Sequence, residues 1–417
     1  MIPTVNKKRP LHLFDGFGVE LEYMIVDNAG LNVHAAADHV LAKAAGCIVN
    51  EISRGVTAWS NELALHVIEI KTDGAVNTLE GLGALFQQDI GGIEQLLAPA
   101  NARLMPGSVH PWMDPFHELK LWPHEYNPIY EAYNRIFDCR GHGWANLQST
   151  HLNLPFHGDE EFARLHAALR LVLPLIPAMA ASSPLADGEL KPFLDFRMEA
   201  YRCNAMKIPS ITGLIVPERV YSAADYRERI LEVMYRDIAP YDPDGVLQDE
   251  WLNSRGLMAR WDRCAIEVRV IDIQEYPAAD VAILEWIVAL ARSLVDGEWA
   301  ALAIQMDFPE EELYHILLDT ICYGESAGIG NQAYLALFGL QKHALSAGEL
   351  CRHIFDQLRT THHFSPEALQ HLELIFAEGS LAGRILRALP ENFSREDLLN
   401  VYKRLCGCLR DAKAFVP

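Results

Sequence analysis

Residues 17–26 read FGVELEYMIV. Val19, Leu21 and Tyr23 alternate with Gly18, Glu20 and Glu22, the period-two pattern of a β-strand with one apolar face. The other face carries two carboxylates side by side. Like charges at that spacing repel and raise each other's pKa, so something positive has to lie close to them.

Two further stretches repeat the pattern. NLQSTHLNLPF (146–156) sets Leu152 and Leu154 against His151 and Asn153. CAIEVRVID (264–272) sets Ile266, Val268 and Val270 against Glu267, Arg269 and Ile271. For any one of these strands a solvated outer face also accounts for the alternation. SNELALHVIEIKTDG (60–74) fits less well, because Glu62 and Glu69 differ in parity and a uniform strand over 62–71 would place them on opposite faces. Glu69 would then lie with Leu65 and Val67. It needs a partner there, an arginine being one candidate, or the strand needs a bulge near its start.

Strand candidates fall at 17–26, 62–71, 147–156 and 264–273, and helical candidates at 79–98, 160–181, 222–237 and 278–296. The long, unequal intervals disfavour a regular βαβ wheel and predict an α+β fold with a largely antiparallel sheet. Beyond about residue 330 the strand signal fades. SPEALQHLELIFAEG (365–379) opens with Ser–Pro and ends in Gly, and SREDLLNVYKRLCGCL (394–409) sets Asp397 three residues after Ser394, an approximate capping box. The reading is an α+β region, 1–330, with a helical extension, 331–417, packed on it.

The 417 residues carry 35 Lys and Arg against 56 Asp and Glu, a net charge of −21. This disfavours a nucleic-acid surface. The eight cysteines include no CxxC pair and read as reduced thiols. MIPTVNKKRPLHLFDG (1–16) lacks an apolar leader core, and LVLPLIPAMAASSPLA (171–186) is short and broken by three prolines, so it reads as a buried helix and not a membrane span. A cytoplasmic protein is expected.

Glu20, Glu22, Glu62, Glu69, His151 and Glu267 gathered on one sheet face would suit hard divalent cations such as Mg²⁺ or Mn²⁺. There is no Cys/His quartet for structural zinc, no GxxxxGK[ST] loop and no strand-borne GxGxxG turn. Carboxylate-held metals with an arginine, here Arg269, are the other common way to hold a nucleoside triphosphate.

These motifs in this order resemble the glutamate–cysteine ligase superfamily, specifically its carboxylate–amine ligase branch. They are GVELE (18–22), the acidic pair Glu62 and Glu69, GSVHP (107–111), STHLN (149–153) and IEVRVID (266–272), spread over roughly 14–275. The resemblance implies a curved, mostly antiparallel sheet funnel of the glutamine synthetase and guanido kinase type, with helices outside. It implies two or three Mg²⁺ ions on Glu20, Glu22, Glu62, Glu69, His151 and Glu267, and a phosphate contact at Arg269. Catalysis would then rest on Arg269, Glu20 and Glu267, with Arg269 and Asn153 on the ATP side. The positive charge between Glu20 and Glu22 would be Mg²⁺.

The sequence departs from the family pattern at Leu21, where many relatives have a third acid, and at Asn153, where a second His often stands. DFRMEAYR (195–202) matches an arginine-bearing family segment loosely. Arg197 and Arg202 there suit a substrate carboxylate, and equally suit pairing with Asp195 or Glu199.

The implied reaction is ATP-dependent. A carboxylate, by family default the γ-carboxylate of L-glutamate, is activated as an acyl phosphate and joined to an amine such as L-cysteine. Tyr130, Tyr133 and Tyr201 are candidates for the acceptor side by location alone. Two other readings stand beside it: a metal-dependent hydrolase built on His110, His117 and His124, which recur every seven residues with His142 and His151 beyond, and a non-catalytic nucleotide-binding relative. The helical tail caps the body or mediates a homo-oligomer.

Overall fold

The computed structural model describes residues 2, 9–341 and 344–417, so residues 1 and 3–8 of the stretch read above for a leader lie outside the described residues. An open, eight-stranded antiparallel sheet forms the body. Its strands are β1 (Gly18–Asp27), β2 (Glu51–Ser53), β3 (Thr57–Asn61), β4 (Val67–Thr72), β5 (Ala102–Met105), β6 (Ser149–Pro155), β9 (Leu257–Arg260) and β10 (Ala265–Asp272). Two small ribbons lie apart from it: β7 (Leu185–Ala186) with β8 (Glu189–Leu190), and β11 (Gly328–Ile329) with β12 (Leu345–Ser346). The sheet order is β2-β3-β4-β1-β6-β10-β9, with β5 paired to β1 beside the start of β6. The fold is α+β with a mostly antiparallel sheet.

β1 is the central strand. One edge pairs with β4 from Glu20 to Met24; the other pairs with β6 from Gly18 to Leu21 and then with β5 from Met24 to Asp27. Val19, Leu21, Tyr23 and Ile25 are fully buried in the main core, beneath the helices Leu82–Leu97 and Pro277–Val295. The opposite face is polar for only half the strand. After Glu20 and Glu22 it continues as Met24 and Val26, which are fully buried in a second apolar cluster with Leu398, Tyr402 and Leu405 of the C-terminal helix Arg395–Asp411. That helix starts with the full Ser394/Asp397 capping box, and Pro366–Glu378 starts with Ser365 accepting from the Ala368 amide. The segment after residue 330 thus contributes helices to both clusters.

Two expectations are corrected. The stretch 62–71 is not one strand: β3 ends at Asn61, the chain turns over 62–66, and β4 begins at Val67. Backbone bonds from Leu65 to the Lys120 carbonyl and from Trp122 to the Leu63 carbonyl tie that turn to a neighbouring loop. The helix expected over 160–181 is interrupted. It runs Gly158–Val172, tightens to a 3₁₀ turn at Leu173–Leu175 and resumes at Ile176–Ala180, because Pro174 and Pro177 cannot donate ladder bonds. By length and apolarity Gly158–Ala180 could cross a membrane, but 89% of its most apolar window is buried inside the protein. All eight cysteines are free.

The tail is fastened at Glu275, three residues beyond β10. Arg384 Nη1 lies 2.6 Å from Glu275 Oε1, both side chains being fully buried, and also donates to the Phe415 carbonyl at 2.7 Å. The Phe415 amide donates to the same Glu275 oxygen at 3.1 Å. Burial alone would raise the Glu275 carboxyl; Arg384 outweighs it and holds it below its ordinary value. Glu275→Gln leaves a buried guanidinium without its counter-charge and should cost about 3–5 kcal/mol. Since the folded pKa is the lower one, this contribution is complete above the unfolded value, about 4.3, and fades as pH falls through the folded value. Urea midpoints of wild type and variant should therefore differ clearly at neutral pH and approach each other in acid. Equal midpoints at neutral pH would show that the pair does not anchor the tail.

Candidate functional site

The sheet register brings the acidic residues together in three rows. Opposed residues of an antiparallel sheet share a face, so Ser60, Glu69 and Glu22 form one row, and Lys71, Glu20 and His151 the next. Gly18, Asn153 and Glu267 form the third. Gly18 keeps the third row close, since a Cβ there would approach the Asn153 Cβ to 3.0 Å and require it to shift.

Each carboxylate in these rows has a protein partner. His151 Nδ1 lies 2.9 Å from Glu20 Oε2 and 3.7 Å from Glu267 Oε1, and its Nε2 lies 2.9 Å from the Ser149 hydroxyl. Asn153 donates to the other Glu20 oxygen at 3.2 Å. The Ser149 amide and hydroxyl both donate to Glu22 Oε2, at 2.7 and 2.9 Å. Lys71 Nζ bridges Glu69 at 3.0 Å and Glu51 at 2.8 Å, and the Ser60 hydroxyl also donates to Glu69.

Glu62 lies in the turn between β3 and β4, which removes the parity problem, since no continuous strand connects it to Glu69. Its carboxyl is pushed well above the ordinary range by burial and then by the charges of Glu22, Glu69 and Glu20, so it belongs to the same electrostatic cluster. Burial and Glu20 likewise raise Glu69, to about 7, against Lys71 and Ser60. Glu20 goes the other way: burial would raise it, but His151, Lys71 and Arg269 together hold it at about 2. His151 is raised; burial opposes its charge, but Glu20, Glu22 and Glu267 outweigh that.

β10 carries a bulge. Val268 pairs with Leu152 and Ile271 with Thr150, so His151 faces two residues, Arg269 and Val270. The expected alternation therefore fails beyond Val268: Ile271 joins the core, and Asp272, opposite Ser149, takes the face assigned to it. Arg269 is re-aimed. Its Nε lies 2.9 Å from Glu267 Oε1 and its Nη1 donates to the Asn253 carbonyl at 3.3 Å. Burial works against its charge, but Tyr201, Glu267, Glu20 and Tyr133 hold it charged.

The other candidates are distributed as follows. Arg197 is 2% exposed and donates to the Arg269 carbonyl at 2.7 Å, with Asp272 at 3.5 Å. Arg202 is 30% exposed and grips Glu199 with two nitrogens. Tyr130 accepts from Asn61 at 3.1 Å. Tyr133 packs with Trp144 and Trp251, at centroid distances of 5.0 and 5.9 Å. The Tyr201 hydroxyl is buried with no hydrogen-bond partner among the described residues.

The histidines at intervals of seven do not converge. His110 is fully buried, holds the Leu31 carbonyl at 2.7 Å and is pushed down to about 3 by burial. His117 pairs with Asp114, His124 with Asp38, and His142 with Asp187. The GSVHP loop staples two site strands instead. The Ser108 hydroxyl accepts from the Ile273 amide at 2.6 Å, the Ser108 carbonyl from the Gln148 amide at 2.9 Å, and His110 exchanges bonds with Asn146.

Sequence reasoning missed Lys71, Ser60 and Ser149. For Lys71 a signal existed: it stands two residues from Glu69 and so shares its face. Of the acidic set, Glu20, His151 and Glu267 offer ligand atoms all within 4.8 Å of one another. Two carboxylate oxygens and one imidazole nitrogen fit Mg²⁺ or Mn²⁺. Burial first, and then neighbouring carboxylates, raise the Glu62 and Glu69 carboxyls, Lys71 opposing the shift at both.

A family model described as glutamate-cysteine ligase family 2 matches residues 16–404. An uncharacterized protein of Archaeoglobus fulgidus is 31% identical over 403 residues, 96% of this chain and 100% of that one. A Rubrobacter xylanophilus protein, provisionally named glutamate–cysteine ligase 2-3, is 25% identical over 201 residues, 47% of this chain and 50% of its own. Among solved structures, a glutamate–cysteine ligase from Francisella tularensis in complex with AMP aligns with TM-score 0.57 at 13% identity, over 96% of this chain and 90% of that one. At that identity the likeness is one of fold.

Glu20→Gln and Glu267→Gln should each weaken Mn²⁺ binding at least about tenfold, the loss usual even for groups that only support a ligand. Calorimetric titration checks this. Unchanged affinity in both would remove the Glu20–His151–Glu267 triad as the ion site.

Proposed function

The chain belongs to the glutamate-cysteine ligase family 2, and from that premise we propose that it is an ATP-dependent carboxylate–amine ligase acting on L-glutamate and an amine, L-cysteine being the first to test. One observation carries the reading beyond family membership: Glu20, His151 and Glu267 converge within 4.8 Å, and the half-buried Arg269 lies 2.9 Å from the last of them.

In the first half-reaction an oxygen of the donor carboxylate attacks the γ-phosphorus of ATP, and the bond to the β-phosphate oxygen breaks. The products are an acyl phosphate and ADP. In the second, the amine nitrogen attacks the acyl carbon, inorganic phosphate leaves, and the nitrogen sheds a proton as the amide forms. Mg²⁺, held by Glu20, His151 and Glu267, would supply charge neutralisation at the polyphosphate. Arg269 would meet the transferred phosphoryl group, and its attachment to Glu267 and the Asn253 carbonyl fixes its aim. Asn153, hydrogen-bonded to Glu20, orients that carboxylate and would stand on the nucleotide side. No protein nucleophile is required, since the acyl group is carried by phosphate.

For the substrate carboxylate, Arg202 is the stronger of the two arginine candidates. It is partly exposed and has only a carboxylate on its own helix to exchange, whereas Arg197 is fixed behind β10.

The test is phosphate release from Mg·ATP, with L-glutamate and a panel of amines added singly and the amide detected by mass. Release should require both carboxylate and amine. Arg269→Ala should lower it by about 10²–10³ while Mn²⁺ affinity stays within a few-fold of wild type. Release without an amine, or full activity in Arg269→Ala, would overturn the assignment.

A further inference from the structure

Among the site's neighbours Lys71 has no assigned part. It stands opposite Glu20 on one side and Ala58 on the other, and that small neighbour leaves its long side chain free to lean along the face. Nζ ends between Glu69 and Glu51, at 3.0 and 2.8 Å, with the side chain only 24% exposed. The same Glu69 oxygen also takes the Ser60 hydroxyl. Glu22, the next carboxylate along the row, has one oxygen filled by two donors from Ser149. The close group of ligand atoms contains Glu20, His151 and Glu267 and stops short of Glu69.

We propose that Lys71 is a built-in cation of the site. Its ammonium neutralises Glu69 and Glu51 where a further divalent ion would otherwise bind, and confines ion binding to the side formed by Glu20, His151 and Glu267. This rests on the reading of the cluster as a metal site. The chemistry is direct. An ammonium and a hydrated divalent cation compete for the same carboxylate oxygens, and the ammonium is tethered at a high effective concentration by its own strand. A second ion beside it would feel its repulsion across a few ångströms of poorly screened interior. Glu69 is then a ligand of lysine, not of metal, and the acidic set that looks uniform in the sequence divides into two halves.

Counting Mn²⁺ ions bound to the intact protein by electron paramagnetic resonance, with a non-hydrolysable ATP analogue present, tests this. Lys71→Met should bind one Mn²⁺ more per chain than wild type, and Lys71→Arg the same number. Glu69→Gln should also keep the wild-type count. An unchanged or lower count in Lys71→Met, or loss of an ion in Glu69→Gln, would overturn the proposal. Were Lys71→Met not to fold, the Glu69→Gln count would decide alone. If wild type bound no Mn²⁺ at all, the metal reading itself would fall; wild-type binding with the wrong variant counts would remove only the part assigned to Lys71.

Discussion

Glu20, Glu22, Glu69 and Glu267 on one face of the sheet, with Glu62 in the adjoining turn, repel one another, and the rest of the site answers that repulsion. Taken out of water, such charges persist only when paired or fully hydrogen-bonded. The protein pairs them in part: His151 with Glu20 and Glu267, Lys71 with Glu69, Arg269 with Glu267. Glu62 is the most affected, its carboxyl driven up by burial and then by the charges of Glu22, Glu69 and Glu20. A sheet imposes this arrangement firmly, because backbone pairing sets the spacing of opposed side chains and no rotamer change can disperse them. On the proposed function, this face would receive a polyphosphate accompanied by divalent ions.

The second constraint is that β1 serves two environments along one face. Glu20 and Glu22 face the site, and two residues later Met24 and Val26 face an apolar cluster. A strand cannot turn over between residues 22 and 24, so something apolar must cover the far half, and the C-terminal helix does so through Leu398, Tyr402 and Leu405. The Glu275–Arg384–Phe415 knot fastens that cover just beyond β10, whose other residues include Glu267 and Arg269. The tail is therefore part of what holds the site face in shape, by burying the half that would otherwise expose methionine and valine to water.

Much of this was legible in sequence. The alternation in 17–26, 147–156 and 264–273 gave three neighbouring strands, and parity alone put Glu20, Glu22, His151, Asn153 and Glu267 on the same side. What parity could not supply were its own interruptions. The turn at 62–66 carries apolar residues and no glycine or proline, so local composition did not mark it. The bulge at Arg269 and Val270 depends on how β6 pairs with β10, a long-range fact absent from either strand alone. Lys71 was readable by the same parity rule as Glu69, but attention to acidic residues passed over the cation among them. His110 of GSVHP, a metal ligand only in the hydrolase reading, is structural: it is fully buried and holds the Leu31 carbonyl.

The bulge also bears on the chemistry. A regular strand would have set Arg269 at an ordinary position of the face, one residue pair beyond Glu267. The extra residue breaks the ladder opposite His151 and aims Arg269 at Glu267 and the Asn253 carbonyl, with Tyr133 and Tyr201 nearby. Tyr133 in turn packs with Trp144 and Trp251, so the arginine has carboxylates on one side and an aromatic wall on the other. An acyl phosphate hydrolyses if water reaches it before the amine does, so a ligase needs a dry boundary beside the phosphoryl group. The bulge thus sets Arg269 between the carboxylates of the sheet and the aromatic residues of the Asn127–Phe137 and His142–Ala145 helices.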